Sequence, residues 1–197
     1  MDWYRKRTLG GILDEAAQRW GEREAFSFNG QRWTYAAFQA ETNRLAKGLI
    51  ALGVQPGEHV AVWMTNRPEW LFIMFGIAKV GACIVPLNTR YRTDDVAYTL
   101  TQSRSRTLIS LDVSGPVDYQ SMLADAMPNI TQTPTRLVIE NYPDLERLVI
   151  LGEVSLPHAT SWTALLALGE GVSDATLSAR AAAVDPDGLM MLAYTSG

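Results

Sequence analysis

Hydrophobic positions along the chain alternate between helical and strand-like spacing. Leu9, Ile12, Leu13, Ala16 and Trp20 recur on one helical face, and Gly21 supplies a stop, so a helix is predicted over about 9–20. Residues 25–28 and 32–35 read as short strands on either side of Asn29-Gly30. Both central residues of a type I′ turn need positive φ, which Asn and Gly tolerate, so this is a hairpin. Phe38, Leu45, Leu49 and Leu52 give a second helix closed by Gly53. Pro56-Gly57 then turns the chain into a strand over 59–64. Pro68 suits the first turn of a third helix, where a missing N–H does no harm, and Gly81 stops it. The apolar residues of that helix (Trp70, Phe72, Ile73, Phe75, Ile77, Val80) spread round its circumference and predict burial on more than one side.

A short strand over 83–85 ends at Pro86. Thr93 is the expected N-cap of the next helix, with Asp94 and Asp95 complementing the positive end of its dipole. The strand 107–111 follows. Beyond Asp112 the pattern loosens: a helix over 119–127, strands at 137–139 and 148–151, a helix begun by Ser161 and another begun by Ser173 or Asp174. Asp185-Pro186-Asp187-Gly188 is a turn. Leu189 to Tyr194 is one apolar run, expected to be a strand buried on both faces. Strands alternating with helices at this spacing imply an α/β fold with a mainly parallel sheet flanked by helices. No internal repeat or low-complexity segment interrupts it.

Composition narrows the chemistry. A chain of 197 residues that is 47% hydrophobic can build a substantial core. A net charge of -4 is the wrong sign for a nucleic-acid partner, and the one small basic cluster, Arg5-Lys6-Arg7, reads as a solvated face. Cys83 is the single cysteine, set in an apolar run, and reads as a buried, inert thiol in a reducing compartment. The sequon Asn129-Ile130-Thr131 has no signal-peptide core upstream to give it meaning. The longest apolar stretch, 71–87, is broken by Lys79, Gly81 and Pro86 and falls short of the roughly 20 residues of a membrane span. The chain therefore reads as cytoplasmic, without a membrane span.

Few residues offer themselves for catalysis. The sequence holds no G-x-G-x-x-G, complete Walker loop, G-x-S-x-G or H-E-x-x-H. His59 precedes a strand and His158 lies in a polar loop; Asp185 and Asp187 are explained by turn chemistry. The chemistry concentrates at Thr195-Ser196-Gly197. Two hydroxyls and a glycine after a buried strand let backbone N–H groups approach phosphate, although the same three residues also make an ordinary turn.

Three stretches then resemble one family in order. Lys79-Val80-Gly81-Ala82-Cys83-Ile84-Val85-Pro86-Leu87-Asn88 resembles the K-x-G-A-x-x-V-P-L-N segment of adenylate-forming enzymes: acyl-CoA synthetases, peptide-synthetase adenylation domains and luciferases. Trp33-Thr34-Tyr35, Gly53-Val54 and Gly57-Glu58-His59-Val60-Ala61-Val62 are similar to that family's opening T-Y-x-E-L … G-V-x-x-G-D-x-V-A. Tyr194-Thr195-Ser196-Gly197 resembles the start of its phosphate loop, Y-T-S-G-[ST]-T-G-x-P-K-G. Arg90-Tyr91-Arg92 with residues 95–100 looks more like acyl- and aryl-CoA ligases than amino-acid-activating domains.

The resemblance implies an acid–CoA ligase acting on a small carboxylic acid with ATP, Mg2+ and CoA. It assigns nucleotide binding to Thr195, Ser196 and Gly197, and carries over no catalytic or metal-binding residue, since those family positions lie later. Residues 1–197 are then expected to be an incomplete N-terminal domain, inactive alone, whose last apolar run is either exposed or paired by self-association. The alternatives are an adenylation domain serving a carrier protein and a non-catalytic α/β scaffold.

Overall fold

A computed structural model describes residues 6–133 and 136–195. Arg5, Ser196 and Gly197 lie outside the described residues. The chain divides into two compact units. One comprises the chain up to Gly57 with Asn66–Ala82 and Leu166–Met190; the other comprises Glu58–Thr65, Cys83–Leu165 and the residues from Met191 on.

The first unit is helical. Its helices are α1 (Leu9–Trp20), α2 (Tyr35–Ala51) and α3 (Pro68–Lys79), the last opening on Pro68 as the sequence predicts. Thr8 and Thr34 each accept the first-turn N–H that a capping hydroxyl is there to satisfy. Between α1 and α2 lies the hairpin β1 (Glu24–Phe28) and β2 (Gln31–Thr34). Asn29 (φ 47°) and Gly30 (φ 81°) both take the positive φ that the type I′ turn demands. The hairpin's inner face adds to the core: Phe26 stacks on Trp33 at 5.0 Å and meets Phe38 of α2 edge-on at 5.3 Å. Leu45, Leu49, Ile73 and Ile77 are sealed between α2 and α3. A 3₁₀ turn, Gly169–Gly171, lies against α2 so closely that a Cβ on Gly169 would come within 2.6 Å of the Gly48 nitrogen; only glycine fits there.

The second unit holds the sheet. Strands β3 (His59–Trp63), β4 (Cys83–Pro86) and β5 (Thr107–Leu111) are joined by β10 (Arg147–Leu151) and β11 (Thr160–Ser161) in the all-parallel order β11-β10-β5-β3-β4. Every residue of β5 is buried, and β3 and β10 expose only their first residue, the continuous apolar signature of a sheet covered on both faces. Helix α4 (Thr93–Ser103) packs on α5 (Tyr119–Ala126), and α5 packs on β5. Two small hairpins, β6 (Val113–Ser114) with β7 (Val117–Asp118) and β8 (Ile130–Gln132) with β9 (Leu137–Ile139), lie between β5 and β10 in sequence. The helix α6 (Trp162–Leu168) follows β11, and α7 (Asp174–Ala182) closes the helical unit with Ser173 as its N-cap.

Charge gathers where β3, β5 and β10 begin. The nearly buried Glu58 carboxylate accepts from Arg147 at 2.8 Å and lies 3.2 Å from the Arg106 guanidinium. Glu146 in turn meets Arg106 at 2.6 Å, Arg147 at 3.2 Å and Arg136 at 3.5 Å. Burial pushes the Glu146 carboxyl up, but the Arg106 hydrogen bond and the charges of Arg106 and Arg147 outweigh it, so its pKa is lowered.

Two expectations are corrected. Leu189–Tyr194 is not a strand buried on both faces: Leu189 is 61% exposed, and only Met191 forms a bridge, to Ile84. One apolar face finds a partner in β4, while the residues before it find none. The N-cap of α4 is Arg92, not Thr93. The Arg92 N–H donates to the Asp95 carboxylate at 2.9 Å, the half of a capping box in which the acid three residues on reaches back to the N-cap N–H. Among the described residues no helix is long and apolar enough to cross a membrane.

Candidate functional site

The carboxyl edge of the parallel sheet is where ligands of open α/β folds gather. Here that edge is organised around the end of β4. The Leu87 N–H donates to Val62 O, carrying the ladder one residue past Pro86. Asn88 then folds the chain back: its side chain accepts the Arg90 N–H at 3.0 Å, and its carbonyl accepts the Tyr91 N–H at 3.0 Å. That carbonyl also takes the indole N–H of Trp63 at 3.1 Å. Trp63 itself is wholly buried at the end of β3, edge-on to Tyr119 at 4.6 Å.

The segment carrying the predicted phosphate-binding residues runs alongside. Met191 pairs in parallel with Ile84, and the Leu192 N–H donates to Ile84 O at 2.9 Å. Parallel pairing sends the following residues towards the same edge as Pro86 and Asn88. Tyr194 is half-buried there; burial raises its phenol pKa, and the nearby Tyr98 and Tyr91 raise it further. Thr195 is exposed. Ser196 and Gly197, assigned the same role, lie outside the described residues. Tyr194 and Thr195 follow the paired residues at this edge, and hydroxyl and phenol groups of this kind can donate to anionic oxygens.

The other sequence candidates sit elsewhere. His59 opens β3 at the opposite edge, its Nδ1 against the Ser103 carbonyl. His158 is exposed in a loop at φ 60°. Burial pushes the Cys83 thiol up, opposed by a backbone hydrogen bond from Leu192, which is the setting of an unreactive thiol. Among the described residues no group of three or more His, Cys, Asp or Glu is placed to hold a metal ion.

Sequence reasoning missed two groupings. The electrostatic influence of Tyr91 and Tyr98 on Tyr194 has no short-range signal, because Tyr194 comes near them through the pairing of Met191 with Ile84. Lys79, read as an interruption of an apolar stretch and as the first residue of a family segment, is 3% exposed in the helical unit. Its ammonium donates to Asp14 at 2.5 Å and Asn43 at 2.6 Å, tying α3 to α1 and α2 beside a cavity of about 400 Å³ also lined by Gln39, Asp174 and Ser178. A lysine in the last turn of an otherwise apolar helix was the available signal, since a buried charge needs a partner.

Comparison with known proteins identifies the family and the fold. YngI of Bacillus subtilis (strain 168), whose name assigns it provisionally to the acyl-CoA synthetases, is 34% identical over 193 residues, 96% of this chain and 35% of YngI. The 3-[(3aS,4S,7aS)-7a-methyl-1,5-dioxo-octahydro-1H-inden-4-yl]propanoyl:CoA ligase of Rhodococcus jostii (strain RHA1) is 29% identical over 191 residues, 96% of this chain and 35% of that one. The crystal structure of coronafacic acid ligase from Pectobacterium brasiliense shares the fold, with a TM-score of 0.74 at 14% identity over 95% of this chain and 33% of its own. The chain spans about a third of the length of the relatives it matches. The sequence profile of the AMP-binding enzymes matches residues 13–197, and the chain belongs to that family, whose adenylate-forming ligases supply its fold.

Proposed function

We propose that this chain is the opening portion of the N-terminal domain of an ATP-dependent acid–CoA ligase. The observation that carries the proposal is the pairing of Met191 and Leu192 with β4, which delivers Thr195, exposed, to the carboxyl edge of the sheet. The family match over residues 13–197 and the CoA-ligase names of relatives aligned across 96% of the chain support it. Those names favour CoA over a carrier protein as the thiol acceptor.

In the proposed reaction a carboxylate oxygen attacks the α-phosphorus of ATP, and pyrophosphate leaves to give an acyl-adenylate. The CoA thiol then attacks the acyl carbon, and AMP leaves with its bonding pair. Mg2+, when bound with ATP, would neutralise phosphate charge; the described residues provide no carboxylate cluster for it, so none is assigned as its ligand. The contribution of this chain is positioning. Thr195, followed by Ser196 and Gly197, would donate to the oxygens of the departing pyrophosphate, and the β4 ladder would hold that segment before ATP arrives.

Replacing Thr195 with alanine in the product of the whole reading frame tests this. Acid-dependent ATP–pyrophosphate exchange should fall roughly tenfold to a hundredfold with the fold intact, the scale of losing one donor to a developing oxyanion. Exchange equal to that of the parent protein would remove Thr195 from the phosphate site.

A further inference from the structure

A buried indole N–H must find an acceptor, and in a β-strand the usual choices lie within the core. Trp63 does otherwise. It is 0% exposed, packed on Tyr119, and its one polar atom is directed to the carbonyl of Asn88 in an exposed loop. That carbonyl is the pivot of the loop, because the Tyr91 N–H ends on it too. Asn88 adds a second brace through its side chain, which accepts the Arg90 N–H. Tyr91 lies within electrostatic reach of Tyr194, the residue before Thr195. Hydrogen bonds thus tie the interior of β3 to the loop at Asn88 and Tyr91, and that loop continues β4, the strand against which Met191 and Leu192 are held.

We infer that Trp63 is a positioning residue: its indole N–H, by fixing the Asn88 carbonyl, sets the loop 88–91 beside Tyr194 and Thr195. The inference rests on the proposed ligase function for its kinetic consequence, but not for its structural one. Phenylalanine at 63 would remove the donor and also leave a void beside Tyr119. Replacement of Trp63 alone by 3-benzothienylalanine keeps the bicyclic shape and removes only the N–H.

The test places that analogue at 63 in the product of the whole reading frame and reads amide hydrogen exchange together with ATP–pyrophosphate exchange. The expected result is faster amide exchange at Tyr91 and Leu192, with the core strands β5 and β10 unchanged. The kcat of pyrophosphate exchange should fall roughly tenfold, below the hundredfold that an ångström of misplacement can cost, with the KM for the acid unmoved. Tyr91 and Leu192 protection equal to that of the parent protein overturns the inference, whatever the kinetics. Lost protection with unchanged kcat in an active parent also overturns it, because the loop would then be ordered without bearing on the site. If the parent itself shows no exchange, the ligase reading fails while the protection data still decide whether Trp63 holds the loop.

Discussion

Lys79 and its two partners show how exposure sets the cost of breaking a buried pair. The ammonium is almost wholly enclosed, whereas the Asp14 side chain is 41% exposed. Water can therefore rescue Asp14 when its partner is lost, and cannot rescue Lys79. Asp14→Ala, which leaves the ammonium with Asn43 alone, should cost about 1–3 kcal/mol in urea unfolding. Lys79→Met, which fills the same space without a charge, should stay within about 1 kcal/mol of the parent. The reverse order would mean that the pair, not the stranded ammonium, carries the stability.

Glu146 gives the pH counterpart. Its folded pKa is lowered from the ordinary 4.5, so the folded state binds fewer protons than the unfolded one near that value. Its contribution is fully present above the unfolded pKa and is lost as pH falls through the lower folded value. Stability should therefore drop on acidification below about pH 4.5, and Glu146→Gln should both lower the midpoint at pH 7 and flatten this acid limb. An acid limb of the same steepness in Glu146→Gln would assign the loss to other carboxylates.

At the scale of elements, the capping of α4 reassigns two residues that the sequence gives different roles, Thr93 as cap and Asp95 as partner of the dipole. Asp95→Ala removes the acceptor for the Arg92 N–H and should cost about 1 kcal/mol. Thr93→Ala, at the first helical position rather than the cap, should change stability by less than about 0.5 kcal/mol. Equal losses in thermal unfolding would restore Thr93 as the cap.

The same comparison shows what the sequence carries. Elements whose signals are local came out as expected: the Asn29-Gly30 hairpin, the helix begun at Ser173, and the strand Thr107–Leu111. Leu189–Tyr194 did not, because an apolar run reports that a segment wants partners, not how many it has. The hairpins at 113–118 and 130–139 are too short to show a period, and only Leu137–Ile139 was legible. Of the site, Thr195 was read through a motif resemblance. The influence of Tyr91 and Tyr98 on Tyr194 emerges only once β4 and Met191 are side by side.

For the molecule as a whole, the central fact is proportion. The profile match covers residues 13–197, yet this chain corresponds to 35% of YngI and of the Rhodococcus ligase. In the proposed enzyme this portion builds a parallel sheet, brings the phosphate-binding segment to its carboxyl edge and braces it.

The most direct test is acid-dependent ATP–pyrophosphate exchange, measured with a panel of fatty, aromatic and alicyclic acids on the product of the whole reading frame and on the 197-residue chain. The account predicts exchange with at least one acid in the former and none in the latter. Exchange by the 197-residue chain alone would contradict the division of labour proposed here. Silence of the folded full product with every acid and its ATP·Mg2+ would contradict the ligase reading itself.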